Sequence, residues 1–172
     1  GTFHAVCMRL LDDVVMLADE SEALFVAEET VRECGLRISA KKLLQEVSRR
    51  KNGAPPDEAE EKLPQEAYLR YCEKLAAYGA RDFDDLLLET LERFEPQNRK
   101  ESALRGFTHL LVDEFQDIND LQYRLVQAWS RAGESLFVIG DPDQSIYGFR
   151  GSDARCFARL AQDLPHLRQI AR

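Results

Sequence analysis

Residues 107–145, FTHLLVDEFQDINDLQYRLVQAWSRAGESLFVIGDPDQS, decide the fold. Two short apolar runs, FTHLLV at 107–112 and SLFVIG at 135–140, each end on acidic residues, as buried parallel strands of an α/β sheet do. Between them Leu121, Leu125, Ala128 and Trp129 recur at helical spacing. Strand, helix and strand within about 35 residues predict a βαβ unit with a right-handed crossover. Ligands of such sheets gather at the carboxyl ends of the strands. Asp113, Glu114 and Asp141 stand there.

Toward the N-terminus the pattern is helical. Leu24, Ala27, Val31 and Cys34 mark one amphipathic helix, with Asp19 as its cap and Gly35 as its stop. Ser39 caps a second helix carrying Leu43, Leu44 and Val47, and RRKNGAPPDEAEEK at 49–62 reads as an exposed polar loop closed by prolines. Tyr68, Tyr71, Cys72, Leu75 and Tyr78 form a third stripe ended by Gly79. In DFDDLLLETLERF, Asp82 caps a fourth helix whose inner face is Phe83, Leu86, Leu87, Leu91 and Phe94. Residues from about 13 to 100 are therefore expected to be nearly all helix.

At 172 residues, with 44% hydrophobic and 31% charged residues, the chain has the composition of a soluble globular protein. No stretch approaches the roughly 20 apolar residues of a membrane span, and the opening GTFHAVCMRLL lacks a basic leader with a long apolar run. A cytoplasmic protein is expected. Cys7, Cys34, Cys72 and Cys156 form no CxxC pair, and His4, His109 and His166 are equally scattered, which argues against zinc and iron–sulfur sites. Any metal is expected to be a hard cation on carboxylates. The net charge of −8 taken alone argues against nucleic acid. Its distribution softens the objection, because residues 103–172 hold eight basic against nine acidic residues, whereas residues 1–102 hold fifteen against twenty-two.

Asp113 and Glu114 follow the strand residues Leu110, Leu111 and Val112, so two adjacent carboxylates stand on the strand's lip. Successive strand side chains point in opposite directions, which lets the pair divide labour. One carboxylate can hold Mg²⁺ and the other can orient and deprotonate an attacking water, as nucleoside triphosphate hydrolysis requires. Taken without context, the same string also fits a solvated strand end.

Context comes from the opening GTFH, DFDDLL, LLVDEFQDINDLQ and FVIGDPDQSIYGFRGSD, in this order along the chain. Together they resemble the UvrD/Rep/PcrA-type superfamily 1 DNA helicases over essentially the whole chain. The resemblance implies an α/β fold: a partial RecA-like parallel-sheet motor domain, residues 1–12 and 101–172, with a mostly helical inserted subdomain, residues 13–100. It implies ATP as substrate, Asp113 as the Mg²⁺ carboxylate, Glu114 as catalytic base and Gln144 as the contact to the γ-phosphate. An uncharged amide suits that last role because it donates to a phosphate oxygen without altering local charge. Gln116 and Asp117 are implied to support Mg²⁺ or the neighbouring motif, and Arg150 to link that motif to the catalytic site or the DNA.

Tyr147 and Phe149 correspond to aromatics that stack on single-stranded DNA, each stack being worth about 1 to 3 kcal/mol per base without regard to sequence. Phe149 stands where tryptophan is common in the family, which keeps the ring and drops the indole N–H. Thr2, Phe3 and His4 match a segment lining the single-stranded DNA path. Implied partners are single-stranded DNA, duplex junctions and proteins of repair or recombination, and the implied movement is 3′ to 5′. DFDDLL, with Asp82, Asp84 and Asp85, marks the family, and capping with helix-surface solvation accounts for most of it.

No GxxxxGK[ST] phosphate-cradling loop occurs in the 172 residues. Family order puts that loop before GTFH, so the chain is expected to be an internal piece of an ATP-dependent helicase, inactive in isolation. The alternative is a short nucleotide-independent DNA-binding or interaction module. The intact DEFQD and GDPDQS segments favour the helicase piece, since a module freed from hydrolysis has no use for them.

Overall fold

A computed structural model of the chain describes residues 1–11, 16–53, 63–94, 107–131, 134–141 and 156–165. By its internal contacts the chain divides into two compact units, Gly1–Asn98 and Arg99–Arg172.

Among its described residues the first unit has five helices, α1 (Phe3–Leu11), α2 (Glu20–Glu33), α3 (Ala40–Lys51), α4 (Gln65–Ala77) and α5 (Phe83–Phe94). Two short strands, β1 (Met16–Leu17) and β2 (Ala80–Arg81), pair in parallel with Met16 opposite Ala80. This strand pair was not expected in a segment read as nearly all helix, because two-residue strands carry no periodicity. It ties the chain after α1 to the chain before α5, and α1 packs along α5.

Local chemistry starts α2, α3 and α5 and stops α2 where the sequence indicates. Asp19 Oδ1 accepts from the Glu22 N–H at 2.8 Å while Glu22 Oε2 accepts from the Asp19 N–H at 2.9 Å, a reciprocal capping box. Gly35 ends α2 at φ +61°, a left-handed conformation that side chains disfavour. Ser39 Oγ accepts from the Lys42 N–H and opens α3. Asp82 and Asp85 exchange side-chain-to-backbone bonds at the start of α5.

The core of this unit gathers Val26 and Ala27 of α2, Leu43 and Val47 of α3, Tyr71 and Leu75 of α4, and the strand neighbours Ala18 and Ala80. The buried stripe of α2 is centred on Val26, Ala27 and Thr30, and the expected residues Leu24, Val31 and Cys34 lie on its half-buried flanks. Thr30 is tolerated inside because its hydroxyl donates to the Val26 carbonyl at 2.8 Å. Tyr78 and Phe83, expected on inner faces, are about half exposed at 56% and 49%. Outside the core, Glu29 and Glu33 of α2 bracket Lys74 of α4 at 3.0 and 2.8 Å.

Of the polar loop expected over 49–62, the first residues are helical and residues 54–62 lie outside the described residues. α3 continues through Lys51, and Lys51 and Asn52 are buried. Their burial has a partner for each: Lys51 Nζ lies 2.6 Å from both Asp82 Oδ2 and Asp85 Oδ1, and Asn52 Nδ2 donates to Asp84 Oδ1 at 2.9 Å.

In the second unit β3 (His109–Val112) and β4 (Ser135–Val138) run parallel, His109 opposite Ser135 through Val112 opposite Val138. A 3₁₀ turn (Phe115–Asp117) leaves β3, α6 (Asp120–Ser130) follows, and α7 (Cys156–Asp163) packs against the 3₁₀ turn. The βαβ order read from 107–145 is present. Leu121, Leu125, Ala128 and Trp129 are all buried, as expected. Burial on both faces of the strands is not observed: Leu110 and Val112 are shielded, while Leu111, Phe137 and Ile139 are 66%, 56% and 45% exposed. Strand side chains alternate between faces, so shielding one face leaves every second residue in solvent. The chain as a whole is α/β, dominated by helices with short parallel strands.

Candidate functional site

The site is built where β3 ends. The backbone ladder passes from the Ile139 N–H to the Val112 carbonyl at 2.8 Å and from the Phe115 N–H to the Ile139 carbonyl at 3.0 Å, so the two strand exits stay parallel beyond the strands. Between these bonds the chain makes room for two exposed carboxylates, Asp113 and Glu114. Asp113 Oδ1 accepts from the Glu114 N–H at 2.9 Å. Glu114 sits at φ +51°, ψ +43°, and among the described residues it alone is a non-glycine with positive φ. Such a backbone costs about 1 kcal/mol or more and persists where the surroundings fix it. Here the left-handed residue turns the chain from strand into 3₁₀ geometry, replacing the simple pleat alternation expected for the acid pair.

Gln116 follows, 2% exposed. Its Nε2 donates to Glu114 Oε2 at 2.6 Å, and its Oε1 accepts from the Asp141 N–H at 3.0 Å. Gly140 admits this arrangement, because a Cβ there would fall 2.4 Å from Gln116 Oε1, 2.8 Å from the Phe157 ring and 3.0 Å from the Phe115 nitrogen. Phe115 itself is fully buried, edge-on to Phe157 with centroids 5.2 Å apart, and anchors the turn. Asp117 closes the turn through its N–H on the Glu114 carbonyl at 3.0 Å, and its buried Oδ1 has no hydrogen-bond partner among the described residues.

Asp113, Glu114, Gln116 and Asp117 are thus brought together, and the backbone of Asp141, the second residue of GDPDQS, joins them. Gln144, Tyr147, Phe149 and Arg150 lie outside the described residues. Thr2, Phe3 and His4 belong to the first unit. Thr2 starts α1, its Oγ1 accepting from the Ala5 N–H at 3.3 Å. Phe3 is half-buried, and the His4 ring meets Phe83 edge-on, centroids 4.9 Å apart. Burial pulls the His4 pKa down, and Asp84 pulls it partly back.

Sequence reasoning missed Lys51 and Asn52. Burial drives the Lys51 ammonium toward neutrality, yet Asp82 and Asp85 outweigh it and leave its pKa above the ordinary value. Burial and the neighbouring Asp82 raise the Asp85 pKa, with Lys51 opposing. DFDD is therefore a hub: Asp82 and Asp85 hold α3 through Lys51, Asp84 holds Asn52, and Phe83 meets His4 of α1. The available signal was three carboxylates in four residues, which need a cation nearby.

Among the described residues no group of three or more His, Cys, Asp or Glu side chains gathers as a metal cage, and no helix is long and apolar enough to cross a membrane. What the strand ends offer is a hard, all-oxygen donor set suited to a cation that keeps most of its waters.

Parallel strands joined through a helix, with acidic residues at their carboxyl ends, define an α/β protein whose candidate site lies at the strand exits. Residues 18–165 match the model of the UvrD/REP helicase N-terminal domain, and the chain belongs to that family. It is similar to the ATP-dependent DNA helicase PcrA of Staphylococcus epidermidis, 29% identical over 192 residues covering 99% of this chain and 26% of the relative. PcrA of Bacillus subtilis is 30% identical over 187 residues, covering 96% of this chain and 25% of the relative. The ATP-dependent DNA helicase srs2 of Schizosaccharomyces pombe is 37% identical over 109 residues, covering 63% of this chain and 12% of the relative. The chain spans about a quarter of the length of the PcrA relatives.

Proposed function

We propose that this chain forms part of an ATP-driven DNA helicase or translocase, with the strand exits of the second unit as its hydrolytic half-site. The observation that carries the reading is Glu114: an exposed carboxylate on a left-handed backbone, held by a buried amide beside a second exposed carboxylate. Strain at a strand's carboxyl end, fixed by the surrounding hydrogen bonds, is what a positioned catalytic group displays. Relatives named ATP-dependent DNA helicases supply the substrate class.

In this reading Asp113 would hold Mg²⁺, and Asp117 Oδ1, which has no hydrogen-bond partner among the described residues, would be a further oxygen acceptor at the same strand exit. Bound there, Mg²⁺ neutralises charge on the ATP phosphates. Glu114 orients the attacking water and takes its proton. Gln144 contacts the γ-phosphate, and Arg150 links that segment to the site or to DNA. Tyr147 and Phe149 stack on single-stranded DNA, and Thr2, Phe3 and His4 line its path. Residues 1–12 and 101–172 then belong to a RecA-like motor domain and residues 13–100 to its helical insertion, working 3′ to 5′ at duplex junctions in cytoplasmic repair or recombination.

The test uses the natural protein that contains this chain. Glu114→Gln is expected to leave Mg·ATP binding intact and to lower DNA-stimulated hydrolysis by about 10²–10⁴-fold, the usual contribution of a general base. Brisk turnover in that variant removes Glu114 as the base and the hydrolytic reading with it.

A further inference from the structure

We infer that Gln116 is a positioning residue that sets the orientation of the Glu114 carboxylate by tying it to the backbone of the GDPDQS segment. The inference rests on the hydrolytic reading above and adds to it a physical connection between the two acidic strand ends. Gln116 is buried to 98%, so its polar atoms need partners inside the protein. Glutamine is suited to the place because one amide both donates and accepts. The donating nitrogen meets Glu114 Oε2 at 2.6 Å, and the accepting oxygen meets the Asp141 N–H at 3.0 Å.

Geometry makes this a relay, since each end is fixed independently. Asp141 follows β4, whose register with β3 is set by four residue pairs. Ile139 and Phe115 continue the ladder, so Gln116 Oε1 accepts from the next backbone N–H past the point where the main chain of β3 has turned away. The bare backbone of Gly140 lets the amide come that close. A displacement of the Asp141 backbone is therefore felt at Glu114 through a single rigid amide. Any ligand that moves the GDPDQS segment alters the aim of the base, which gives nucleotide contacts on β4 a route to the hydrolytic carboxylate on β3.

Gln116→Met preserves length and apolar packing and removes the bonds to Glu114 and to the Asp141 backbone. In the natural protein containing this chain we expect a roughly 10–100-fold fall in kcat for DNA-stimulated ATP hydrolysis, the range seen when an orienting partner is lost, with KM for ATP within about twofold. Placed on Glu114→Gln, the same change is expected to cost nothing further, because its effect passes through the carboxylate. An undiminished kcat in Gln116→Met, or an equal further loss on the Glu114→Gln background, overturns the inference while the Glu114 role stands. If Glu114→Gln itself hydrolyses briskly, the functional reading fails first. A second measurement is independent of turnover: in the ¹⁵N-labelled 172-residue chain the Gln116 side-chain amide should exchange slowly and shift in Glu114→Gln, and a rapidly exchanging or unshifted amide overturns the relay.

Discussion

Replacing Lys51 by methionine keeps the aliphatic length of a side chain that is 1% exposed and deletes its charge. Its Nζ lies 2.6 Å from both Asp82 Oδ2 and Asp85 Oδ1, so the substitution leaves two like charges facing each other at the start of α5. Removing one partner of a buried ion pair costs about 3–5 kcal/mol, chiefly through the charge left behind. The carboxylates retain 14% and 24% exposure. That access to water puts the expected loss near the lower end, about 3 kcal/mol. For a unit of about 100 residues each kcal/mol moves the midpoint by about 4–8 °C, so melting of the first unit should fall by roughly 12–24 °C. Far-ultraviolet circular dichroism against temperature and urea measures it on the chain itself. Adding Asp82→Asn and Asp85→Asn should recover much of the loss, since the neutral set strands no charge and asparagine still caps α5. A loss below about 1 kcal/mol in Lys51→Met, the scale of an exposed pair, refutes the reasoning. So does a triple variant no more stable than the single one.

Two further outcomes follow from the same structure, and one from the functional reading. Hydrogen bonds from Ser21 and from the Glu22 and Ser21 backbone hold the Asp19 pKa below its ordinary value. Its contribution is therefore present above about pH 4 and lost as pH falls through the lower folded value; Asp19→Asn should keep the cap and flatten that acid limb in a urea-midpoint series, and an unchanged limb assigns it elsewhere. Gly140→Ala drives a Cβ to 2.4 Å from Gln116 Oε1 and 3.0 Å from the Phe115 nitrogen. Overpacking of that kind costs about 1–3 kcal/mol, which the fluorescence of buried Trp129 can follow during denaturation; an unshifted midpoint shows that the turn yields. Phe149→Ala should weaken single-stranded DNA binding by the worth of one stack, about 1–3 kcal/mol, and an unchanged Kd in a fluorescence-anisotropy titration removes the stacking role.

Different parts of this chain were legible for different physical reasons. Helix ends were readable because capping is local: Asp19 with Glu22, Ser39 with Lys42 and Gly35 at positive φ each act within a few residues. The βαβ unit was readable because apolar runs and a helical stripe alternate over a short span. The Lys51 contacts were not, because 31 residues separate Lys51 from Asp82 and nothing local marks a buried lysine. The parallel pair of Met16 with Ala80 was hidden for the same reason. At the site, the acid pair could be read at the end of its strand, whereas the left-handed Glu114 could not, since glutamate carries no preference for that conformation.

The left-handed turn at Glu114 accounts for the glutamine in DEFQD. A strand of four residues runs out of backbone partners once the chain turns at Glu114. The Asp141 N–H is met there by a side chain, at a point where the bare backbone of Gly140 lets it approach. Gln116 Oε1 replaces the missing carbonyl, and the amide geometry then obliges Nε2 to face Glu114. An alanine at 116 loses both contacts, and a glutamate accepts from Asp141 but sets a second negative charge against Glu114. Glutamine satisfies both ends at once, so the hydrogen-bonding need of the strand exit and the orientation of the exposed carboxylate are met by one side chain.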